Sequence, residues 1–184
     1  GRGGRLTLPV AALGVAISGY VGVEMGVSNW IVRFLSSADA ALANGALGLY
    51  WAGLAAGRLI GIPIGDRFDH LRLAIASTLG CSITILAAVL VPWLPASIGL
   101  FALAGVFSGP IFPLVMAVGG ERFPDRSAAM SGTLAAAAFT GSLAYPPLMG
   151  LISVTVGLPA AMAGTGVLAL ATAGALVVAG RTPS

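Results

Sequence analysis

The sequence predicts an all-α integral membrane protein of six transmembrane helices, and three observations carry that reading. Of the 184 residues, 58% are hydrophobic and 8% charged, with a mean hydropathy of +1.00. That leaves too little polar surface to cover a soluble globule. The apolar residues fall into six stretches, 6–35, 40–62, 71–92, 96–119, 127–152 and 157–179. Each is long enough, at 1.5 Å per helical residue, to cross a hydrocarbon core about 30 Å thick. Following the chain through six crossings puts Arg2, Arg5, Arg58, Arg67, Arg72, Arg122, Arg126 and Arg181 on the side of the termini and Arg33 alone on the other. Arginine-rich loops stay in the cytoplasm, so both termini are expected inside a multi-pass protein of the plasma (inner) membrane.

The first stretch is no cleavable signal, because it carries Glu24, Asn29 and Arg33 and no small-residue cleavage site. The chain opens GRGGRLTL without a starting methionine, as a piece of something longer would. It reads as one six-helix domain over 1–184, with 1–5 the remnant of a cytoplasmic linker and 182–184 a cytoplasmic tail. Glu24 is the one carboxylate deep in an apolar stretch, where facing lipid costs on the order of 3 kcal/mol. It is therefore expected to turn inward, for proton coupling or for binding a solute hydroxyl. Tyr20, Glu24 and Ser28 are four apart and share one helix face. Asn29 and Trp30 lie nearer the outer end, where an indole serves as an interfacial anchor or as a ligand platform.

The second stretch carries Gly53, Gly57, Gly61 and Gly65 at four-residue spacing, a seam that lets another backbone approach. Tyr50 and Trp51, deeper in it, are candidate platforms for a ring or a cation. The third and sixth stretches are nearly unbroken Ala, Leu, Val and Ile, and are expected at the periphery against lipid. In the fourth, GPIFP holds Pro110 and Pro113; in the fifth, YPPLMG holds Pro146 and Pro147. Each proline removes a backbone donor, so both pairs are expected to break their helices, either beside a wet cavity or as simple bends.

The inner loops interleave charges, with Arg58, Asp66, Arg67, Asp69, His70 and Arg72 after the second stretch and Glu121, Arg122, Asp125 and Arg126 after the fourth. Positive-inside bias alone requires no acids, so an ion-pair network joining the two loops is expected. His70 reads as a solvated loop residue. The pI near 9.8 follows from topology, without the Lys runs and interleaved aromatics of a nucleic-acid binder. One cysteine, Cys81, and one histidine offer neither a metal cluster nor a nucleophile–base pair, so no metal, cofactor or enzymatic activity is expected.

The loop GIPIGDRFDHLR resembles the motif G-x-L-x-D-R-x-G-R-R that lies between the second and third helices of each half of major facilitator superfamily transporters. Asp66 and Arg67 match, Ile64 stands for the leucine, the first glycine is displaced to Gly61, and Asp69 replaces the second. YVGVEMGVSNWIVRFL, YWAGLAAGRLIG, SGPIFPLVMAV and GSLAYPPLMG are similar, in the same order, to segments of the sugar–proton symporter branch, the fucose permease relatives. The resemblance implies the C-terminal half of a twelve-helix transporter, built of two inverted three-helix repeats. It implies a solute and proton path at Tyr20, Glu24, Ser28, Asn29, Tyr50 and Trp51. It also implies a charge relay of Asp66 and Arg67 with Glu121, beside Arg58 and Arg122. The expected function is proton-coupled movement of a small polar solute, in particular a sugar. The expected partners are a missing N-terminal half, membrane lipid and the solute. The alternative is a free-standing six-helix protein that pairs with a second copy, either as a homodimeric transporter or as a membrane scaffold without transport.

Overall fold

The computed structural model describes residues 3–36 and 40–181, with side chains from Leu8 onward. Seven helices form: α1 Gly3–Phe34, α2 Ala40–Gly65, α3 His70–Leu90, α4 Leu94–Ser108, α5 Ile111–Arg122, α6 Ser127–Thr155 and α7 Leu158–Arg181. A 3-10 turn, Pro124–Arg126, precedes α6, and the described residues contain no strand. The pair α4 and α5 makes one span, Leu94–Arg122, so the described residues hold six spans long and apolar enough to cross a membrane. Of the expected linker and tail, residues 1, 2 and 182–184 lie outside the described residues, whereas Gly3–Arg5 already belong to α1.

The ends of the helices follow from local chemistry. Asp69 caps α3, its carboxylate accepting from the Arg72 amide at 2.8 Å, which satisfies a donor the first turn leaves orphaned. This gives the aspartate in the motif's glycine position a structural task, at φ −58°, where no glycine is required. Pro95 sits in the first turn of α4, where its missing donor costs nothing. After α6, Gly157 takes φ +112°, a conformation open chiefly to glycine. Its amide, with that of Val156, satisfies the Ile152 carbonyl and turns the chain into α7.

Packing is organised by a two-fold relation between α1–α2–α3 and the second triplet, α4/α5, α6 and α7. Helix α1 packs on α6 and α7; α4 packs on the counterparts of these, α2 and α3; and α3 packs on α7. Exchanging the triplets maps each of these pairings onto another or onto itself, as an inverted repeat requires. Lipid provides no hydrophobic drive for helices to associate, so close backbone fit must supply it. The glycine ladder on α2 does so against α4. A β-carbon on Gly53 would strike the Ala102 carbonyl, and one on Gly57 the Val106 carbonyl; α4 answers with Gly105 beside the Tyr50 carbonyl and Gly109 beside that of Leu54. Across the two-fold, Gly141 of α6 lies against the Ser18 carbonyl of α1.

Two expectations are corrected here. Helix α6 runs through Pro146 and Pro147 without interruption, whereas the Pro110 pair does coincide with the gap between α4 and α5. A proline deletes one donor and leaves acceptors free, and α6 is clamped on both sides of its pair by buried Gly141, Tyr145 and Met149, so the helix carries on. Burial within this half alone does not follow the expected periphery. The third and sixth spans are each 44% buried, while the second and fifth are only 17% and 22% buried. Composition missed this because an apolar surface facing lipid and one facing a protein partner look alike in sequence.

Candidate functional site

Glu24 lies on the buried side of α1, its side chain only 11% exposed. The Tyr20 hydroxyl donates to its Oε2 from one turn earlier, the stacking that the four-residue spacing predicts. Arg58 reaches the same oxygen from α2, with Nη2 to Oε2 3.9 Å. The two converge because side chains lean toward the N-terminus of their own helix, and α1 and α2 run in opposite directions, so Glu24 leans toward one membrane face and Arg58 toward the other. At an effective dielectric of about 20 the gross attraction is about 4 kcal/mol. Exposure of the Arg58 side chain, 49%, reduces it.

Both charges open on a cavity of 570 Å³ bounded by α1, α2, α5 and α6. The rest of its wall is Val21, Phe112, Pro113, Ala138, Phe139 and Ser142, with Ala135. Neither α3 nor α7 contributes. Polar groups are few: the Ser142 hydroxyl already donates to the Phe139 carbonyl at 2.9 Å, and Glu24 is engaged by Tyr20. What the wall presents to an occupant is therefore a half-exposed guanidinium beside two phenyl rings.

Arg58 and Pro113 also line a second cavity of 220 Å³, together with Asp66, His70, Pro110 and Leu114. The Pro110–Pro113 break thus sits between the two chambers, the cavity-side alternative among the readings of that motif. At the inner end His70 Nδ1 meets Glu121 Oε1 at 2.6 Å, tying the start of α3 to the end of α5. His70 is therefore a packed, partnered residue rather than a solvated loop histidine. Asp66 and Arg67, expected to join Glu121, take no part in that contact and are exposed. Arg122 instead donates through Nη1 to the Ala179 carbonyl, and through Nη2 to that of Gly180 at 3.4 Å, at the end of α7, where a cation complements the helix dipole.

The other expected path residues are dispersed. Ser28 bonds the Glu24 backbone carbonyl at 2.7 Å rather than the carboxylate. Asn29 is exposed, and Trp30 carries the Arg33 guanidinium 5.4 Å from its ring centroid. Tyr50 is fully buried and Trp51 40% exposed, their rings edge to face at 6.1 Å; neither lines the cavity. Sequence reasoning assigned Arg58 to the inner-face charges and missed Phe112, Phe139 and Ser142. Arg58 carried a signal, since it lies seven residues inside the end of α2 at Gly65, about 10 Å at helical rise.

The Major Facilitator Superfamily model matches residues 6–184 of this chain. Major facilitator superfamily domain-containing protein 4A of Danio rerio is 30% identical over 107 residues, which is 56% of this chain and 20% of that protein. Among solved structures, the E. coli fucose:proton symporter superposes with a TM-score of 0.84 at 16% identity, covering 96% of this chain and 43% of that one. The POT family transporter PepTSo gives 0.83 at 18%, covering 96% and 38%. At these identities the two structures speak for the fold, and the chain spans less than half the length of either. With a family model matched over nearly all its length, and a six-span, two-fold architecture to go with it, the chain is a multi-pass membrane protein belonging to the major facilitator superfamily.

Proposed function

We propose that the chain is the C-terminal six-helix half of a secondary active transporter that moves a small polar solute, coupled to protons, by alternating access. The observation that carries this reading is the Tyr20–Glu24–Arg58 cluster at the wall of the 570 Å³ cavity. A carboxylate inside a membrane span is a default site for proton handling, and here it has a partner cation and an opening. Alternating access rocks one half against another around a site between them, and the sparsely covered α2 and α6 supply the face such a partner would cover. The partner is a preceding six-helix half or a second copy of the chain. The arginine bias supports cytoplasmic termini, and the membrane we propose is the plasma membrane. The substrate class that comes with the resemblance is a sugar, in line with the fucose carried by one of the structural relatives.

The test is uptake by vesicles holding the intact gene product, with labelled fucose, galactose and their acid derivatives, under an imposed pH gradient and with the gradient collapsed. Gradient-dependent accumulation of any of them supports the reading. Equilibration that ignores the gradient, or no movement of any of them, counts against it.

A further inference from the structure

The central cavity favours one chemical class of solute over another, an inference that rests on the transporter reading above. A neutral sugar presents hydroxyls on every side, and its site must answer them with many donors and acceptors, because buried polar groups left unpaired are costly. This wall does not. Outside the Glu24–Arg58 pair it offers one hydroxyl, Ser142, against Val21, Phe112, Pro113, Phe139 and alanines. The acceptor in the pair is covered, with the Glu24 side chain 11% exposed and held by Tyr20. The donor is open, with the Arg58 side chain 49% exposed and its nearest carboxylate oxygen at 3.9 Å, beyond hydrogen-bonding distance. A guanidinium with free N–H groups matches a carboxylate in a planar, two-point bond. The phenyl rings match a carbon body.

Charge balance leads to the same class. A carboxylate at Glu24 and the guanidinium of Arg58 together sum to zero charge. Adding a proton to Glu24 together with a neutral solute leaves this half with one more positive charge, which the partner half would have to balance. Adding the proton together with a carboxylate returns the sum to zero: the proton neutralises Glu24, Arg58 is released from it, and the solute's carboxylate takes Glu24's place as counter-ion. Proton and anion then enter as a pair because each removes the cost of the other.

We propose that the substrate of this site is a small organic carboxylate. Its carboxylate seats on Arg58, its carbon body lies between Phe112 and Phe139, and it binds together with one proton on Glu24. Sugar acids fall in this class; a neutral sugar would leave the Arg58 guanidinium on this wall without a counter-ion.

The experiment is a binding titration on the purified intact gene product, read by thermal stabilisation, with matched probes: galactose and galacturonate, propane-1,2-diol and lactate, benzyl alcohol and benzoate. The proposal expects a carboxylate member to bind, its neutral mate not to bind, and binding to tighten as the buffer is made acidic. It expects Arg58→Gln to weaken that binding about tenfold or more and Arg58→Lys to retain part of it. A neutral member binding as well as its acid, or no carboxylate binding at all, overturns it. An Arg58→Gln protein that keeps its unliganded melting temperature and binds like wild type also overturns it. Should Arg58→Gln fail to fold, a carboxylate affinity that does not change with pH overturns it instead, and one that tightens in acid supports it. Gradient-driven uptake of a neutral probe alone would sink this proposal and leave the transporter reading standing. Carboxylate binding without gradient-driven uptake would do the reverse.

Discussion

Adding a single methyl group at Gly57 should both destabilise the helix pair and disturb the site. A β-carbon there meets the Val106 carbonyl of α4 head-on, with the Val106 carbonyl carbon at 2.8 Å and its α-carbon at 3.0 Å. Ordinary contacts begin at 3.4 Å, so α2 and α4 must part by at least 0.6 Å on the carbon contact and further for the oxygen. Both atoms are backbone and cannot rotate away. Overpacking of this kind costs about 1–3 kcal/mol, while Gly→Ala in a helix returns up to about 1 kcal/mol, leaving a net loss of up to about 2 kcal/mol. The internal control is Gly48→Ala on the same helix, where nothing lies within 4 Å; there only the propensity gain remains, a stabilisation of up to about 1 kcal/mol. Unfolding of the purified protein in a denaturing detergent titration would report both. Because Arg58 is the next residue, the parting also displaces the guanidinium from its place beside Glu24, so solute affinity should change in Gly57→Ala and hold in Gly48→Ala. A Gly57→Ala protein as stable as Gly48→Ala would refute the close α2–α4 seam and the placement of Arg58 that depends on it.

Three further outcomes are expected. Asp69→Ala removes the carboxylate that caps α3 and should cost about 1 kcal/mol, with no effect on solute affinity, as thermal unfolding and binding would show together. Since Cys81 is buried, cysteines placed at exposed Asp125 and Ala40 should be the reactive ones, with Asp125 labelled only from the cytoplasm and Ala40 only from outside; both labelled from one face would end the six-span topology. Asp66→Asn should leave abundance and solute affinity intact while altering the balance of inward- and outward-open states, read from the accessibility of a cavity cysteine from each side. An unchanged balance with normal turnover would reduce the inner charges to topology signals.

Much of the fold was legible because lipid imposes simple rules. Backbone groups must be satisfied within the helix, so each apolar stretch of sufficient length became a helix, with boundaries shifted by a few residues, as at Gly3 and Gly65. The α2 ladder was legible as a seam because glycines four apart share a face. The charge pairings were not, since they depend on how far each helix is rotated and how deep it sits. Arg58 looked like one more inner-face arginine until α2 was set beside α1, and Glu121 found His70, not Arg67, because α3 begins at His70 and carries its ring to the end of α5. Glu24 and Tyr20 were read correctly as neighbours because both lie on one helix. Cavity residues Phe112 and Phe139 carried no signal of their own, being apolar residues in apolar spans.

In the proposed cycle Glu24 carries the proton that accompanies the solute. The most direct test is the proton-to-solute ratio in vesicles holding the intact gene product, measured for wild type and Glu24→Gln, a change that keeps size and hydrogen bonding but removes the titratable group. Wild type should move about one proton with each solute; Glu24→Gln should assemble to normal abundance, still exchange solute across the membrane, and move no protons with it. Proton movement that persists unchanged in Glu24→Gln would remove Glu24 from the proton path.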